Sequence, residues 1–343
     1  MKHLLLFLAL ALSLALSAQQ PALPVTTFDY AIPDNNVSPI CIGMGGLNVT
    51  NAGDFFASYS NPALIGANTY SALLTSFRLK NEENLSFWEA ASISNALRDK
   101  QFKYFTLLAK NTAWTYQPVA SVHIVDTYAN RSYRYYDYQM DKVQVSLAGR
   151  DDSWQPVSFG LNLKYLTGRL VYQVYNVPGE NDVFIDDKIK GFSTDLGVTM
   201  DAGSMTFGVS GYDLFSRLYW ENYPSVPIQR RMGIGAQYNS DNMILKAGLQ
   251  GKLSQSTDTT YHFGFQYLWD WNSPGSPGRE NVNQGIVLRL GMYSHDFYGT
   301  SNINYTFGTG YNYNVFRFDF SMNNQGMKIK DSEYLFSLGV GMP

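Results

Sequence analysis

The chain has 343 residues, of which 15% are charged, 15% are aromatic and one is Cys, and its formal net charge is −3. Ordinary soluble domains carry about 25% charged residues; here uncharged polar residues, Gly and Tyr stand in their place. That balance excludes a disordered chain, a basic nucleic-acid binder, a disulfide scaffold and a multi-Cys metal site.

The first element is an address. Lys2 and His3 precede an apolar run over 4–16, and Leu16-Ser17-Ala18 offers small residues before Gln19. This reads as a signal peptide, residues 1–18, cleaved after Ala18. The run is short of the ~20 residues a membrane-spanning helix needs. The lone thiol, Cys41, fits an oxidising compartment, where unpaired Cys is a hazard. No second apolar run of 18 residues follows. A membrane contact by the mature chain therefore has to use strands.

Residues 19–69 lack long alternation. They contain Ile42-Gly43-Met44-Gly45-Gly46, then Asp54-Phe55, then Asn61-Pro62-Ala63. The residue before Pro62 is pushed out of helical geometry, so Asn61-Pro62 is a break. The abundance of small residues predicts backbone packed closely inside something.

From residue 70 onward the pattern has a period of two, which places alternate side chains on opposite faces of strands. Val143, Val145 and Leu147 alternate with Gln144, Ser146 and Ala148; Phe159, Leu161 and Leu163 alternate with Gly160, Asn162 and Lys164; Phe316, Phe318 and Phe320 alternate with Arg317, Asp319 and Ser321. One face is large and aromatic, while the other is small, Gly-rich or charged. This suits a barrel with an oily outer wall better than a sandwich, whose outer face carries ordinary surface charge. Turn clusters at 201–204 and 239–242 suit tight hairpins. Longer linkers are read over 176–188, 220–227 and 272–283, giving short turns at one end and long loops at the other. About 14 strands are expected. The stretch 88–97 reads equally as strand or helix. Tyr133, Tyr135, Tyr136 and Tyr138, with Trp269 and Trp271, suit interfacial girdles at strand ends.

The GMGG turn, the acidic residue before an aromatic at Asp54, and the Asn-Pro-Ala block form an ordered set. It resembles the N-terminal signature of the FadL-type outer-membrane barrel superfamily. That group includes long-chain fatty acid transporters and the PorV/PorQ-type proteins of type IX secretion. "FGLNLKYL" at 159–166, "FGVSGYDL" at 207–214 and "FRFDF" at 316–320 extend the likeness. The resemblance implies an all-β transmembrane antiparallel barrel over 70–343 with a short N-terminal hatch, 19–69, in its lumen. It implies the outer membrane of a Gram-negative bacterium and contact with its lipid. It also implies passage of a hydrophobic small molecule, or, in the PorV/PorQ branch that the compact size favours, an accessory role toward secretion-system proteins. Hatch-motif positions map to Gly43, Gly45, Gly46, Asp54, Asn61, Pro62 and Ala63. Met342-Pro343 departs from the aromatic residue that usually ends such barrels.

Candidate chemistry is thin. His123, His262 and His295 are far apart, with no metal spacing. Gly208-Val209-Ser210-Gly211 is not a nucleophile elbow. Neither an enzyme nor a cofactor is expected. By parity Lys164, Arg231, Lys246, Arg289 and Arg317 face the lumen, with Asp319 and Asp195. They form either a cationic lining that meets a carboxylate or an internal pairing network that fills the barrel.

Overall fold

The computed structural model describes residues 37–342 except 52, 69, 80–101, 129–130, 154–155, 254, 274–281, 298–299 and 325–331. The signal-peptide reading and the ambiguous stretch 88–97 lie outside the described residues. Among these residues no helix is long and apolar enough to cross a membrane.

Fifteen strand segments make the wall. They are β1 (Ser71–Leu79), β2 (Phe102–Ala109), β3 (Thr112–Thr127), β4 (Tyr133–Asp151), β5 (Val157–Tyr175), β6 (Val183–Ala202), β7 (Met205–Tyr212), β8 (Arg217–Trp220), β9 (Arg231–Asn239), β10 (Met243–Lys252), β11 (Gln255–Ser273), β12 (Val282–Phe297), β13 (Thr300–Tyr313), β14 (Phe316–Asn324) and β15 (Ser332–Met342). Consecutive strands pair antiparallel, except that β8 pairs with β6 and β9 pairs with β7. β1 also pairs with β15, from Ser71↔Met342 to Leu79↔Tyr334, which closes the cylinder.

β7 and β8 both pair with β6, at Leu196↔Gly211 and Ile189↔Trp220. They are two halves of one wall strand, so the barrel has fourteen. The interruption between them has a local cause. Asp213 sits at φ 55°, a conformation that Asp tolerates better than most side chains. Its N–H donates to Asp195 Oδ1 at 2.9 Å.

The two faces of the wall differ as the alternation dictates. Phe159, Leu163, Phe192, Ile234, Phe263 and Leu290 point outward and stay exposed, whereas Ser146, Asn162, Ser193, Gln237 and Ser321 point inward and are buried. An exposed apolar surface of this extent marks a site of membrane or protein contact, and its place on the outer face of a closed barrel matches a lipid-facing wall.

Two linkers differ from the sequence reading. β6 begins at Val183, so the linker read over 176–188 is only 176–182. The run Asp186-Asp187-Lys188 looks like loop, yet it continues the ladder. Arg169 grips Asp186 across the strand pair with two bonds of 2.7 and 2.6 Å. β4, β5 and β6, at 19, 19 and 20 residues, overrun the ~9–11 residues that cross a bilayer. Outside lipid their outward positions can carry charge. The connection read as a long outer loop over 272–283 joins β11 to β12 at the end that holds the tight turns 201–204 and 239–242, because the strand direction at that point allows nothing else.

Candidate functional site: the barrel lumen

Residues 37–68, the inner segment, lie inside the cylinder. They form a helical turn α1 (Pro39–Gly43), a second α2 (Ala57–Ser60) and a 3₁₀ turn (Pro62–Ala67). Pro39 and Pro62 each open a turn, where a missing N–H costs nothing. Ser38 caps the first turn through Cys41 N–H, and Asn61 caps the last through Ala63 N–H, both at 3.0 Å.

The segment is held differently on its two sides. Toward β1–β3 the contact is mainly apolar: Ile40, Phe56, Leu64 and Ile65 pack on Leu74, Tyr104 and Leu108, with Ser58 Oγ 2.7 Å from Tyr104 OH. Burial of each such side chain contributes about 1.5–3 kcal/mol. Toward β5–β13 its backbone lies directly on wall glycines. A Cβ at Gly160 would overlap Pro62, one at Gly208 would overlap Val49, and one at Gly291 would overlap Gly45. The Gly-rich inward face is thus a set of seats for another stretch of chain. Gly45 and Gly46 have φ of 84° and 81°, which L side chains rarely adopt. Barrel side chains cap the carbonyls that remain. Lys246 donates to Leu47 O at 2.6 Å, His262 lies 2.6 Å from Gly45 O, and Gln144 and Asn162 both donate to Ser58 O at 2.8 and 2.9 Å.

Asp54 organises the segment from within. Its carboxylate accepts from Ser38 Oγ at 3.1 Å, Asn48 Nδ2 at 2.8 Å and Phe56 N–H at 2.9 Å. Burial pushes its carboxyl above the usual range, against the lowering by Phe56 N–H, Arg317, Lys246 and Ser38. A raised acid keeps its proton to higher pH when the segment is docked than when it is free. Docking therefore weakens as pH rises from about 4 through the raised value, then levels off. Limited proteolysis of the segment should show that loss as faster cleavage once pH rises above about 4, and Asp54→Asn should remove it. A pH-independent cleavage rate in the wild type would contradict this role.

The remaining residues read as lumen lining fall in separate groups. Lys164 Nζ pairs with Asp195 at 2.6 Å and Asp213 at 3.0 Å. Arg289 and Arg317 both bind Asp319, at 2.8 and 2.9 Å, and Arg317 also donates to Gly53 O. Arg231 lies over the Tyr212 ring at 5.5 Å. His123 is exposed against Tyr135, while His262 is buried.

Above the inner segment, toward the long-strand end, the inward face changes character. Down β4 it reads Tyr138, Met140, Lys142, Gln144, Ser146; up β5 it reads Ser158, Asn162, Lys164, Leu166, Leu170. Tyr138, Met140, Leu166, Leu170, Ile189, Leu218 and Trp220 form one inward apolar cluster. Sequence reasoning missed Lys142, although one more step along the Gln144/Ser146 alternation reaches it.

No protein-family model matches the chain, and no curated protein matches its sequence. Among solved structures the CymD monoaromatic hydrocarbon channel aligns with a TM-score of 0.52 at 12% identity, over 91% of this chain and 98% of that one. The chain has the FadL-type barrel fold. The Ralstonia pickettii toluene transporter TbuX follows at 0.49 and 12%, covering 90% and 97%. A Pseudomonas aeruginosa FadL homologue aligns at 0.48 and 10%, covering 91% and 99%. At these identities the likeness concerns the fold of a FadL-type barrel alone.

Proposed function

We propose that this FadL-type barrel sits in the outer membrane of a Gram-negative cell and passes hydrophobic compounds, with residues 37–68 as a hatch that must shift. One observation carries the reading. Above the inner segment, on the β3–β8 side, inward-facing apolar side chains, among them Met140, Leu170, Ile189 and Leu218, form one buried cluster. An inward apolar cluster offers an apolar guest a compatible surface once the segment beneath it shifts. The comparison channels supply a precedent for such cargo. Cells carrying the protein should take up a labelled aromatic or alkyl compound faster than cells without it, and deletion of 43–64 should change that rate. Equal uptake with and without the protein would contradict transport, and uptake indifferent to the deletion would contradict the hatch.

A second reading, an accessory of type IX secretion, draws on the overrun of β4–β6. Their ends carry exposed Tyr175 and Phe184 beyond the length a bilayer covers, as a protein partner would require. Co-purification with a translocon, or a secretion defect on deletion, would support it; normal secretion in the deletion strain would count against it.

A further inference from the structure

The outside of the wall changes character along β5, β6 and β8. Read from the tight turn after Ala202, the outward positions of β6 include Val198, Leu196 and Phe192, and then come Lys190 and Lys188. The stretch from Ala202 back to Phe192 matches the ~9–11 residues that cross a bilayer. Phe192 and Tyr219 on β8, with ring centroids 6.4 Å apart, therefore stand where the lipid band ends, the level that interfacial aromatic rings take. Lys190 lies directly across from Tyr219, and Arg217 directly across from Phe192. Arg169 faces Lys188 across the β5–β6 pair. All four cations are exposed, and their parity points them away from the lumen.

These charges are poorly matched within the chain. Like charges directly opposite each other on a sheet face are destabilising. Asp186 answers Arg169 with an ion pair, and Asp137 on β4 lies on the far side of Arg169 from Lys188. Glu221, whose N–H donates to Lys188 O at 3.1 Å, extends its carboxylate to no lysine among the described residues. Lys188, Lys190 and Arg217 form no ion pair there either; Arg217 donates to Ser225 Oγ at 2.9 Å. The surplus positive charge is thus gathered at these three side chains, at the upper edge of the apolar band. A partner protein could place its acids at any height, whereas a lipid phosphate sits at this one. Lysine meets a phosphate as a point charge, and Arg meets it through two N–H groups.

We propose that Lys188, Lys190 and Arg217 form an external seat for the phosphate of a glycolipid in the outer leaflet, its acyl chains lying down the wall along Phe192, Leu196 and Val198. Basic side chains close to a membrane surface attract anionic lipid over about a Debye length, and the adjacent aromatic pair fixes the height at which the head group is met. This rests on the outer-membrane reading above and adds to it a lipid held at one face of the wall, apart from any cargo in the lumen.

The test uses the full chain in detergent micelles, with native mass spectrometry as the readout. The probes are lipid A carrying both phosphates, the same glycolipid without them, and inorganic phosphate. Wild-type protein should bind the phosphorylated form roughly tenfold more tightly than the stripped one, the worth of one or two charge-assisted bonds. Lys188→Gln/Lys190→Gln/Arg217→Gln should reduce that ratio to about one, whereas Lys190→Arg should keep it. Lys110→Gln, in the tight turn between β2 and β3 at the other end of the barrel, should leave it unchanged. Heat-modifiable gel migration shows that each variant still forms the barrel. If the triple variant fails it, Lys190→Gln alone replaces it and should lower the ratio part of the way. Equal affinity for the two glycolipids, binding of neither, or an undiminished ratio without the cations would overturn the seat while leaving the outer-membrane location standing. Inorganic phosphate that displaces the lipid at equal concentration would overturn it in favour of a bare anion site. Recovery of the protein outside the outer-membrane fraction of the cell would remove the location on which the seat rests.

Discussion

Gly291→Val should open the barrel to large polar solutes while leaving its wall intact. The added side chain would run into the backbone of Met44 and Gly45. A packed neighbouring side chain can rotate away, but a backbone held at both ends cannot. Overpacking of an ordinary core costs about 1–3 kcal/mol, and a clash with backbone costs more. The inner segment gives way because the alternative is to break the β11–β12–β13 ladders, which run unbroken past this position. The variant should keep its heat-modifiable migration, and cells making it should become sensitive to a bulky hydrophilic antibiotic that the outer membrane excludes. Gly149→Ala is the control, since a Cβ there meets nothing within 4 Å. Cells with Gly291→Val that remain as tight as wild type would show that the glycine seat does not hold the inner segment.

The second large effect is expected at Asp319. Its carboxylate is 2% exposed and holds the guanidinium of Arg289, which is 0% exposed, together with that of Arg317. Asp319→Leu would leave Arg289 charged, buried and facing a like charge. Breaking a buried pair in this way costs about 3–5 kcal/mol. The urea midpoint of the detergent-solubilised protein, followed by Trp fluorescence, should fall accordingly. Arg289→Met combined with Asp319→Leu should recover much of the loss, because the residues act as a unit and the costs are not additive. Arg317 keeps Gly53 O and the Phe55 ring, 4.9 Å away, as partners. A double variant as unstable as the sum of the single ones would mean that the pair is not coupled.

The wall was readable because its rule is short-ranged. A two-residue period fixes which side chains face out, and no distant contact has to be known. Phe316, Phe318 and Phe320 opposite Arg317, Asp319 and Ser321 reveal a lumen face without any structure. What the period conceals is what that face meets. Gly160, Gly208 and Gly291 look alike as lining residues, yet each is a seat for a different part of residues 37–68, a relation set by contacts between residues 98 or more positions apart. Charge misled in the opposite direction: Asp186-Asp187-Lys188 reads as loop because inward and outward charge look the same in sequence, while the ladder runs through it. Lys164 and Lys142 carry the same side chain at the same parity. Only the positions of Asp195 and Asp213 set Lys164, which they pair, apart from Lys142, which lies over the Tyr59 ring.

The claim that a hydrophobic guest passes only when the inner segment moves can be put to one measurement. Thr50 Oγ1 and Gln237 Oε1 lie 3.1 Å apart across the boundary between the segment and β9. In a Thr50→Cys/Gln237→Cys variant, a short bis-methanethiosulfonate cross-linker, which spans the gap left by the shorter Cys side chains, should tie the segment to the wall. Uptake of the labelled compound into proteoliposomes should stop on cross-linking and return on reduction. Uptake at the same rate with the segment tied would contradict the account.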